Sequence, residues 1–383
     1  MSTTDNGQSP AAPIRLVLVD DSPLVLRLLR RGLAAFSDIT LVGTAVDGED
    51  ALSLIAQTDP DVVCTDLHMP RLDGLGLVRR LMASHPKPII VVSSALGEIN
   101  GSAKGNNSDS VFELMRAGAL EVTAKPRGGF EAGTPADYVA LARKIRVAAG
   151  ISVFRRHGSP GGHRPGADAS VAMQTSPITE PESVIEMVAI GASTGGPTAL
   201  LEVLSKLPQR LPVPLVGVQH IADGFLPGLA RWLDDGSPVR VEIATPGQSP
   251  QPGVFYLAAS NRHLILDGHG RFLLTEGPPQ GGGHRPSIDC LFESIAARHG
   301  GNSLAILLTG MGRDGADGMG AVFRAGGMTV AQDESSCVVY GMPAAAIAAG
   351  HVQLVLPLAV IGPAIAEAVT KGRNNLIPNQ YKA

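Results

Sequence analysis

Short apolar runs alternate with amphipathic stretches from residue 14 to about residue 125. Five runs are almost continuously apolar, which is typical of parallel strands covered on both faces: IRLVLVD, ITLVGTA, DVVCTD, PIIVVSS and ALEVTAK. Helical spacing of apolar residues fits 22–36, 49–57, 74–84 and 108–117, and a last helix is expected over 136–149. This alternation predicts a doubly wound α/β domain with a five-stranded parallel sheet.

The alternation stops between residues 151 and 183, where Gly, Pro, Ser and charged residues predict a linker. It returns from 184 to 372, with strand candidates EMVAI, PLVGVQHI, VRVEIA, GVFYLAA, HLILDG, RFLLTE, SLAILLTG, MTVAQD and VQLVLP. Helices fit 197–206, 224–235, 287–299, 315–325, 342–349 and 358–370. We therefore expect a second doubly wound α/β domain whose sheet is mostly parallel and includes a β-hairpin region.

Composition narrows the classes of function. The chain has 383 residues, 44% of them hydrophobic, which is enough for two buried cores. Its net charge is −4 and no basic stripe is present, so nucleic-acid binding is not expected. No run approaches the roughly 20 apolar residues of a membrane span, and we expect a cytoplasmic protein without membrane insertion. The three cysteines form no CxxC pair, which argues against structural zinc and a disulfide framework.

Polar side chains follow four strands of the first predicted sheet. Asp20 and Asp21 end the first strand, Asp66 the third, Ser93 the fourth and Lys125 the fifth. The carboxyl ends of parallel strands meet at one edge, where three carboxylates repel one another unless a divalent cation joins them. Oxygen ligands with an incomplete shell suit Mg²⁺. A carboxylate beside Mg²⁺, with a Lys and a hydroxyl to hold phosphoryl oxygens, can accept a phosphoryl group.

The segments VDDSP, TDLHMPRLDG, VVSSA and AKP resemble the response-regulator receiver domain over about residues 14–127. The resemblance implies a flavodoxin-like fold, a phospho-acceptor at Asp66, and a cis peptide bond before Pro126. It also implies a set of Mg²⁺ ligands and phosphate partners: Asp20, Asp21, Asp66 and the backbone carbonyl of His68 for the ion, with Ser93 as switch hydroxyl and Lys125 as phosphate partner. The loop over 97–110 is longer and more polar than usual, and Val122 replaces a frequent aromatic switch residue.

The stretch GASTG, residues 191–195, matches the G-x-S-x-G nucleophile elbow and follows a predicted strand. Pro197 suits the first turn of the next helix, whose N-terminal N–H groups can hold an oxyanion. The same features suit a phosphate loop, but no Lys follows Gly196 as a P-loop requires. The G-x-G-x-x-G pattern of dinucleotide sites is absent as well. Ser193 is therefore a candidate nucleophile.

A serine nucleophile needs a base, and the base needs an orienting carboxylate. His220 ends the strand PLVGVQH, and Asp314 lies just past SLAILLTG, so both are expected on the same rim as Ser193. The order Ser, His, Asp differs from the Ser, acid, His order of α/β-hydrolases. Three other histidines compete as the base: His263, His284 and His299. The last of these closes a helix, where it suits the C-terminal dipole.

The segments GASTGGP, VQH, HRPSIDCLFES and LTGMGRDGADGM closely resemble the catalytic domain of chemotaxis protein-glutamate methylesterases, over about residues 184–372. The resemblance implies Ser193 as nucleophile, His220 as base and then acid, and Asp314 as orienting acid. Met311 would supply the oxyanion-stabilising backbone amide, with Thr194 beside the nucleophile. The segment AASNRHL lacks the family's frequent Pro-Gly turn, so His263 is left out of the catalytic set.

The two resemblances together predict a phosphorylation-activated hydrolase that demethylates glutamate methyl esters on chemoreceptors, deamidates receptor glutamines and so gives adaptation in chemotaxis signalling. The expected partners are a methylated chemoreceptor cytoplasmic domain and a chemotaxis histidine kinase, with the enzyme a monomer. Mg²⁺ would serve the receiver alone, with no cofactor for ester hydrolysis. The expected domains are a receiver over 14–135, with its last helix to about 150, a linker over 151–183 and a catalytic domain over 184–372.

In the family's scheme, the unphosphorylated receiver covers the Ser193 rim and acyl phosphate at Asp66 exposes it. Three rival functions stay open at this point. One is a phosphorylation-controlled interaction module that has lost catalysis. Another is a transcriptional regulator, which the Gly-rich, weakly basic second half disfavours. The third is a general esterase that carries a receiver.

Overall fold

The computed structural model describes residues 12–93, 107–126, 135–151, 184–277 and 283–372. The chain divides into two compact units, one of Met1–Ser94 with Ala117–His157 and one of Ala95–Arg116 with Gly158–Ala383. Most of the expected linker and the polar loop over 97–106 lie outside the described residues. Among the helices that are described, none is long and apolar enough to cross a membrane.

The elements up to Ala149 alternate between strand and helix as expected. They are β1 (Ile14–Val19), α1 (Pro23–Leu33), β2 (Ile39–Ala45), α2 (Gly48–Thr58), β3 (Val62–Thr65), α3 (Gly74–Ser84), β4 (Ile89–Ser93), α4 (Asn107–Ala117), β5 (Glu121–Ala124) and α5 (Pro135–Ala149). The five strands form one parallel sheet in the order β2-β1-β3-β4-β5. The predicted doubly wound domain is confirmed.

Local signals explain why these elements begin where they do. Helix α1 starts with a proline after Ser22, whose hydroxyl accepts a hydrogen bond from the Val25 N–H. Asp47 and Asp73 cap α2 and α3 in the same way. Strands β3 and β4 are buried along their whole length, because side chains on both faces are covered. The polar residues that end or follow these two strands, Ser93 and Asp66, are buried as well, whereas Asp21 after β1 is exposed.

The second unit contains a seven-stranded parallel sheet in the order β14-β13-β12-β6-β7-β9-β8, and an antiparallel pair β10-β11. Its elements are β6 (Met187–Ala192), α6 (Gly196–Ser205), β7 (Leu215–Gln219), α7 (Leu226–Gly236), β8 (Arg240–Ile243), β9 (Val254–Leu257), β10 (His263–Leu266), β11 (Phe272–Thr275), α8 (Ile288–His299), β12 (Ser303–Leu307), α9 (Ala316–Arg324), β13 (Met328–Gln332), α10 (Met342–Ala348), β14 (Leu354–Leu356) and α11 (Leu358–Lys371). The expected mostly parallel sheet with a hairpin region is confirmed.

Strands β12, β6 and β7 lie at the centre of this sheet and are entirely buried. Alternate residues of β6 and β7 join one core with α8 and α9, and the residues between them are equally buried on the other face. Helix α6 packs against α7 and α11, and helix α9 packs against α8 and α10. The carboxyl ends of the three central strands are consequently adjacent, and the candidate catalytic residues follow them.

The sequence expectation of a cis peptide bond before Pro126 is wrong. Within the described residues the cis peptide bond joins Arg285 to Pro286 instead. The trans preference of an X-Pro bond is only about 0.5–1 kcal/mol, so a Lys-Pro pair alone cannot decide between the two forms.

Candidate active site and phosphorylation site

Ser193 is the first residue after β6 and lies in a tight turn that leads into α6. Its N–H donates to the Thr309 carbonyl at 3.0 Å, and its own carbonyl accepts from the Gly196 N–H at 2.8 Å. Gly195 has a φ of +77°, a conformation that glycine adopts at no steric cost. The predicted strand-turn-helix context of a nucleophile elbow is therefore present, with Pro197 in the first turn.

His220 and Asp314 meet at the carboxyl edge of the same sheet. The His220 Nε2 atom lies 2.8 Å from Asp314 Oδ2, and both side chains are almost fully buried. His220 follows β7 directly, and its N–H donates to the Ala192 carbonyl at 3.0 Å, next to the nucleophile. Its Nδ1 atom is buried and has no hydrogen-bond partner among the described residues. With Nε2 held by the acid, Nδ1 is the nitrogen left to receive a proton.

Asp314 accepts four hydrogen bonds, which fix the position of its carboxylate. Besides His220, the Ile288 N–H donates to Oδ2 at 2.9 Å. The Ser287 hydroxyl and the Asp289 N–H donate to Oδ1 at 2.9 Å and 3.1 Å. Burial favours the protonated acid, but the His220 bond and these N–H groups outweigh it, and the pKa of Asp314 is held below its usual value. The acid therefore stays ionised beside the base.

A second buried acid adjoins Asp314. The Asp289 carboxylate accepts a hydrogen bond from the Gly318 N–H at 2.7 Å, in the first turn of α9. Burial, reinforced by the charge of Asp314, raises the pKa of Asp289 to about 7. Of the two neighbouring acids, Asp289 is thus the one that holds a proton in mildly acidic solution, which leaves the charge on Asp314.

The turn after β12 approaches the nucleophile closely. An added Cβ at Gly310 would lie 2.7 Å from Ser193 Cβ, so this contact is possible only with glycine. Met311 follows directly, which brings its backbone to the Ser193 rim, and the Thr194 carbonyl accepts from the Thr309 hydroxyl at 3.0 Å. The Ser193 N–H is occupied by Thr309, so an oxyanion would need other donors from this rim.

The other candidate histidines have different surroundings. The His284 ring stacks on the His220 ring, with centroids 4.0 Å apart and an angle of 11° between the planes. His263 is buried and its Nδ1 accepts a hydrogen bond from the Ser287 N–H at 3.2 Å, and its exclusion from the catalytic set stays a prediction. His299 lies in the last turn of α8 and its Nδ1 is 3.1 Å from Glu186 Oε2.

In the first unit, the expected acidic cluster is formed. One carboxylate oxygen from each of Asp20, Asp21 and Asp66 lies within 4.8 Å of the other two. Lys125 Nζ is 2.6 Å from Asp20 Oδ2 and 3.0 Å from Asp66 Oδ2. Burial raises the pKa of Asp20, although Lys125 opposes that effect. Three carboxylates, two of them buried and the third, Asp21, exposed, offer the oxygen ligands that a hard cation such as Mg²⁺ prefers.

Ser93 and His68 are the other two residues expected at this edge of the sheet. Ser93 is buried at the end of β4, and its carbonyl accepts from the Lys125 N–H at 3.0 Å. His68 lies in the exposed loop after β3, two residues beyond Asp66. Its carbonyl as a metal ligand stays a prediction.

Sequence reasoning did not identify three contributors to the catalytic edge. Ser287 and Asp289 bind Asp314, and Gln219 donates to the backbone of both Ser193 and His220. The start of α8 could have been found in the sequence, because a serine at 287 and an aspartate at 289 are typical of a helix N-terminus. Gln219 carries a signal as well, since it is a lone amide in an otherwise apolar buried strand. Neither signal shows which tertiary partner the side chain meets.

Comparison with known proteins gives two family matches. Residues 188–365 match CheB methylesterase and residues 16–128 match the response regulator receiver domain. A protein-glutamate methylesterase/protein-glutamine glutaminase of Nitrosospira multiformis is 38% identical over 94% of this chain and 98% of its own length. Another of that name, from Symbiobacterium thermophilum, is 36% identical over 94% and 98%.

The crystal structure of the Thermotoga maritima CheB methylesterase catalytic domain covers 48% of this chain and 98% of that one, with 37% identity and a TM-score of 0.47. The sequence resemblances to both domains are confirmed by the family matches and the curated relatives. This chain belongs to the family of protein-glutamate methylesterase/protein-glutamine glutaminases, and it carries a receiver domain ahead of a CheB methylesterase domain.

Proposed function

We propose that Ser193, His220 and Asp314 form the triad by which this chain hydrolyses glutamate methyl esters on chemoreceptors. The observation that carries the proposal is the 2.8 Å bond between His220 Nε2 and Asp314 Oδ2, with a buried, unpartnered Nδ1 at the strand end beside Ser193. A carboxylate that holds one imidazole nitrogen leaves the other basic and oriented. We also propose that residues 184–372 form the catalytic domain.

The reaction follows from this arrangement. His220 Nδ1 takes the Ser193 hydroxyl proton as Oγ attacks the ester carbonyl, and Asp314 stabilises the imidazolium that forms. Collapse of the tetrahedral intermediate gives an acyl-serine, and methanol leaves with the proton from Nδ1. Water then attacks the acyl-serine with His220 as base again, which regenerates the hydroxyl and releases glutamate. A glutamine side chain would follow the same steps with ammonia as leaving group.

The backbone amide of Met311 and the turn at Thr194 are proposed to stabilise the tetrahedral oxyanion. Gly310 brings the turn after β12 against Ser193 Cβ, and Met311 is the next residue along that turn, so its amide is the candidate donor to an ester carbonyl attacked by Ser193. In nucleophile elbows one donor comes from the residue after the nucleophile, which here is Thr194. Loss of one such donor typically lowers kcat by about 10²–10³-fold.

The receiver over 14–135, with its last helix to about 150, is proposed to be phosphorylated at Asp66 by a chemotaxis histidine kinase. Asp20, Asp21, Asp66 and the His68 carbonyl would hold Mg²⁺, which neutralises charge on the transferred group. Lys125 already lies between Asp20 and Asp66, where its ammonium can pair with phosphoryl oxygens. Ser93 is the proposed switch hydroxyl. Phosphorylation would raise hydrolysis at Ser193.

Methanol release from a methylated receptor fragment, measured with and without acetyl phosphate and Mg²⁺, tests both assignments. Ser193→Ala should abolish release, whereas Ser205→Ala, at the exposed far end of α6, should not. Asp66→Asn should keep basal release and lose the stimulation. Undiminished release by Ser193→Ala would overturn the triad, and undiminished stimulation of Asp66→Asn would overturn the phospho-acceptor. Hydrolysis of a small ester without any release from receptor would favour a general esterase.

A further inference from the structure

Gln219 connects the backbones of the two residues that exchange the proton. It ends β7, immediately before His220, and only 4% of its surface is exposed. Its Nε2 donates to the Ser193 carbonyl at 2.7 Å and to the His220 carbonyl at 2.8 Å. Both hydrogens of one planar amide are thereby used, one on the nucleophile residue and one on the base residue.

The two acceptors fix the orientation of this amide. If Oε1 took the place of Nε2, it would face two carbonyl oxygens, which repel it. In the orientation present, Oε1 is buried without a hydrogen-bond partner and points at Gly196, where an added Cβ would overlap it. An unpartnered buried acceptor costs about 1–3 kcal/mol. An apolar side chain of the same length, such as Met, would avoid that cost.

The turn that holds Ser193 has a second tie. The Ser193 carbonyl also accepts from the Gly196 N–H at 2.8 Å, and strand pairing places Ala192 opposite Gln219. These contacts, together with the bond from the His220 N–H to the Ala192 carbonyl at 3.0 Å, set the β6 turn relative to β7, but none of them holds the His220 carbonyl. The Gln219 amide adds that restraint. Buried polar groups that lack a partner often serve function instead of stability, and this one adjoins the reacting side chains.

We infer that Gln219 is a positioning residue, whose amide sets the separation of the Ser193 hydroxyl and the His220 imidazole by clamping their two backbones. It touches neither substrate nor the transferred proton. This inference rests on the proposed roles of Ser193 and His220. Its effect is on the chemical step, because misplacement of reacting groups by about 1 Å can lower a rate by about 10²-fold.

Two measurements on the full-length protein test the inference. Gln219→Met should lower kcat for methanol release by about 10–100-fold with KM changed less than about threefold. It should lower by a similar factor the rate at which a fluorophosphonate forms a Ser193 Oγ–P bond with loss of fluoride, since that reaction needs the same serine and base but no receptor. Gln353→Met, which loses the hydrogen bonds that Gln353 Oε1 accepts from the Thr329 N–H at 2.9 Å and the Thr329 hydroxyl at 3.4 Å, is the control for stability and should keep both rates.

Gln219→Glu keeps the shape and covers the case in which Gln219→Met fails to fold. A carboxylate there would repel both carbonyls, and protonation would restore one donor. Its phosphonylation rate relative to wild type should therefore rise as pH falls. A kcat within threefold of wild type for folded Gln219→Met, a change in KM alone, or a pH-independent ratio for Gln219→Glu would overturn the inference. If Ser193→Ala keeps full activity, the proposed function itself fails.

Discussion

Replacing Asp314 with Asn tests the triad while preserving side-chain shape. The carboxylate accepts two hydrogen bonds on each oxygen, and an amide can accept on one side only. With Nδ2 in place of Oδ2, the Ile288 N–H and His220 Nε2–H would both face a donor. With Nδ2 in place of Oδ1, the Ser287 hydroxyl can rotate to accept a hydrogen bond from Nδ2. Only the Asp289 N–H is then left without an acceptor. The second orientation is therefore the less costly one.

The magnitude follows from this orientation. One stranded buried N–H should lower the free energy of unfolding by about 1–3 kcal/mol, which a domain of this size can tolerate. His220 would keep its bond to Oδ1 of the new amide but lose the charge that stabilises its imidazolium. Acid-to-amide changes in Ser-His-Asp triads lower kcat by about 10⁴-fold. We expect a folded Asp314→Asn protein with kcat for methanol release reduced by about 10³–10⁴-fold.

The assay pairs methanol release with thermal unfolding of the same samples. Asp234→Asn is the matched control, because Asp234 also accepts a backbone N–H, from Val241 at 2.7 Å, away from the triad. It should lose little activity. If folded Asp314→Asn retained kcat within tenfold of wild type, the acid would not stabilise the charged base, and the reasoning from its hydrogen bonds would be refuted.

Three further outcomes are expected. The raised pKa of Asp289, about 7, means that the folded state holds this proton more tightly than the unfolded chain, so its stabilisation is complete below about pH 4 and is lost as pH rises through 7. Between pH 4 and 8, the free energy of unfolding of Asp289→Asn should fall less steeply with pH than that of the wild-type protein. An equal slope for the two proteins would contradict this assignment. Lys125→Met should keep basal methanol release but lose stimulation by acetyl phosphate, and full stimulation would argue against its pairing with the phosphoryl group. Gly310→Ala, whose new Cβ would lie 2.7 Å from Ser193 Cβ, should destabilise the protein by about 1–3 kcal/mol and reduce activity; a wild-type rate would show that the turn can move away.

The fold was largely predictable because its central strands are buried on both faces and helices α1, α2, α3 and α8 begin after a residue whose side chain caps them. Helix α3 begins and ends at the residues that periodicity predicts, and the three candidate triad residues follow central strands as expected. The cap of α8 on Asp314 and the Gln219 amide could not be predicted, since each depends on which distant backbone groups the chain brings near. Likewise, nothing in the spacing of His284 indicates that its ring stacks on His220.

The contact between the Asp314 side chain and the N-terminus of α8 has a consequence for how such enzymes lose activity. The same carboxylate that orients His220 also satisfies the N–H groups of Ile288 and Asp289, which no residue of α8 itself can reach. A descendant that no longer hydrolysed esters would still gain stability from an acid here, because the carboxylate accepts both N–H groups and an amide in its place would cost about 1–3 kcal/mol. Degenerate relatives should therefore lose the serine early and keep the aspartate, so that the serine, and not the acid, reports whether a copy is still an enzyme.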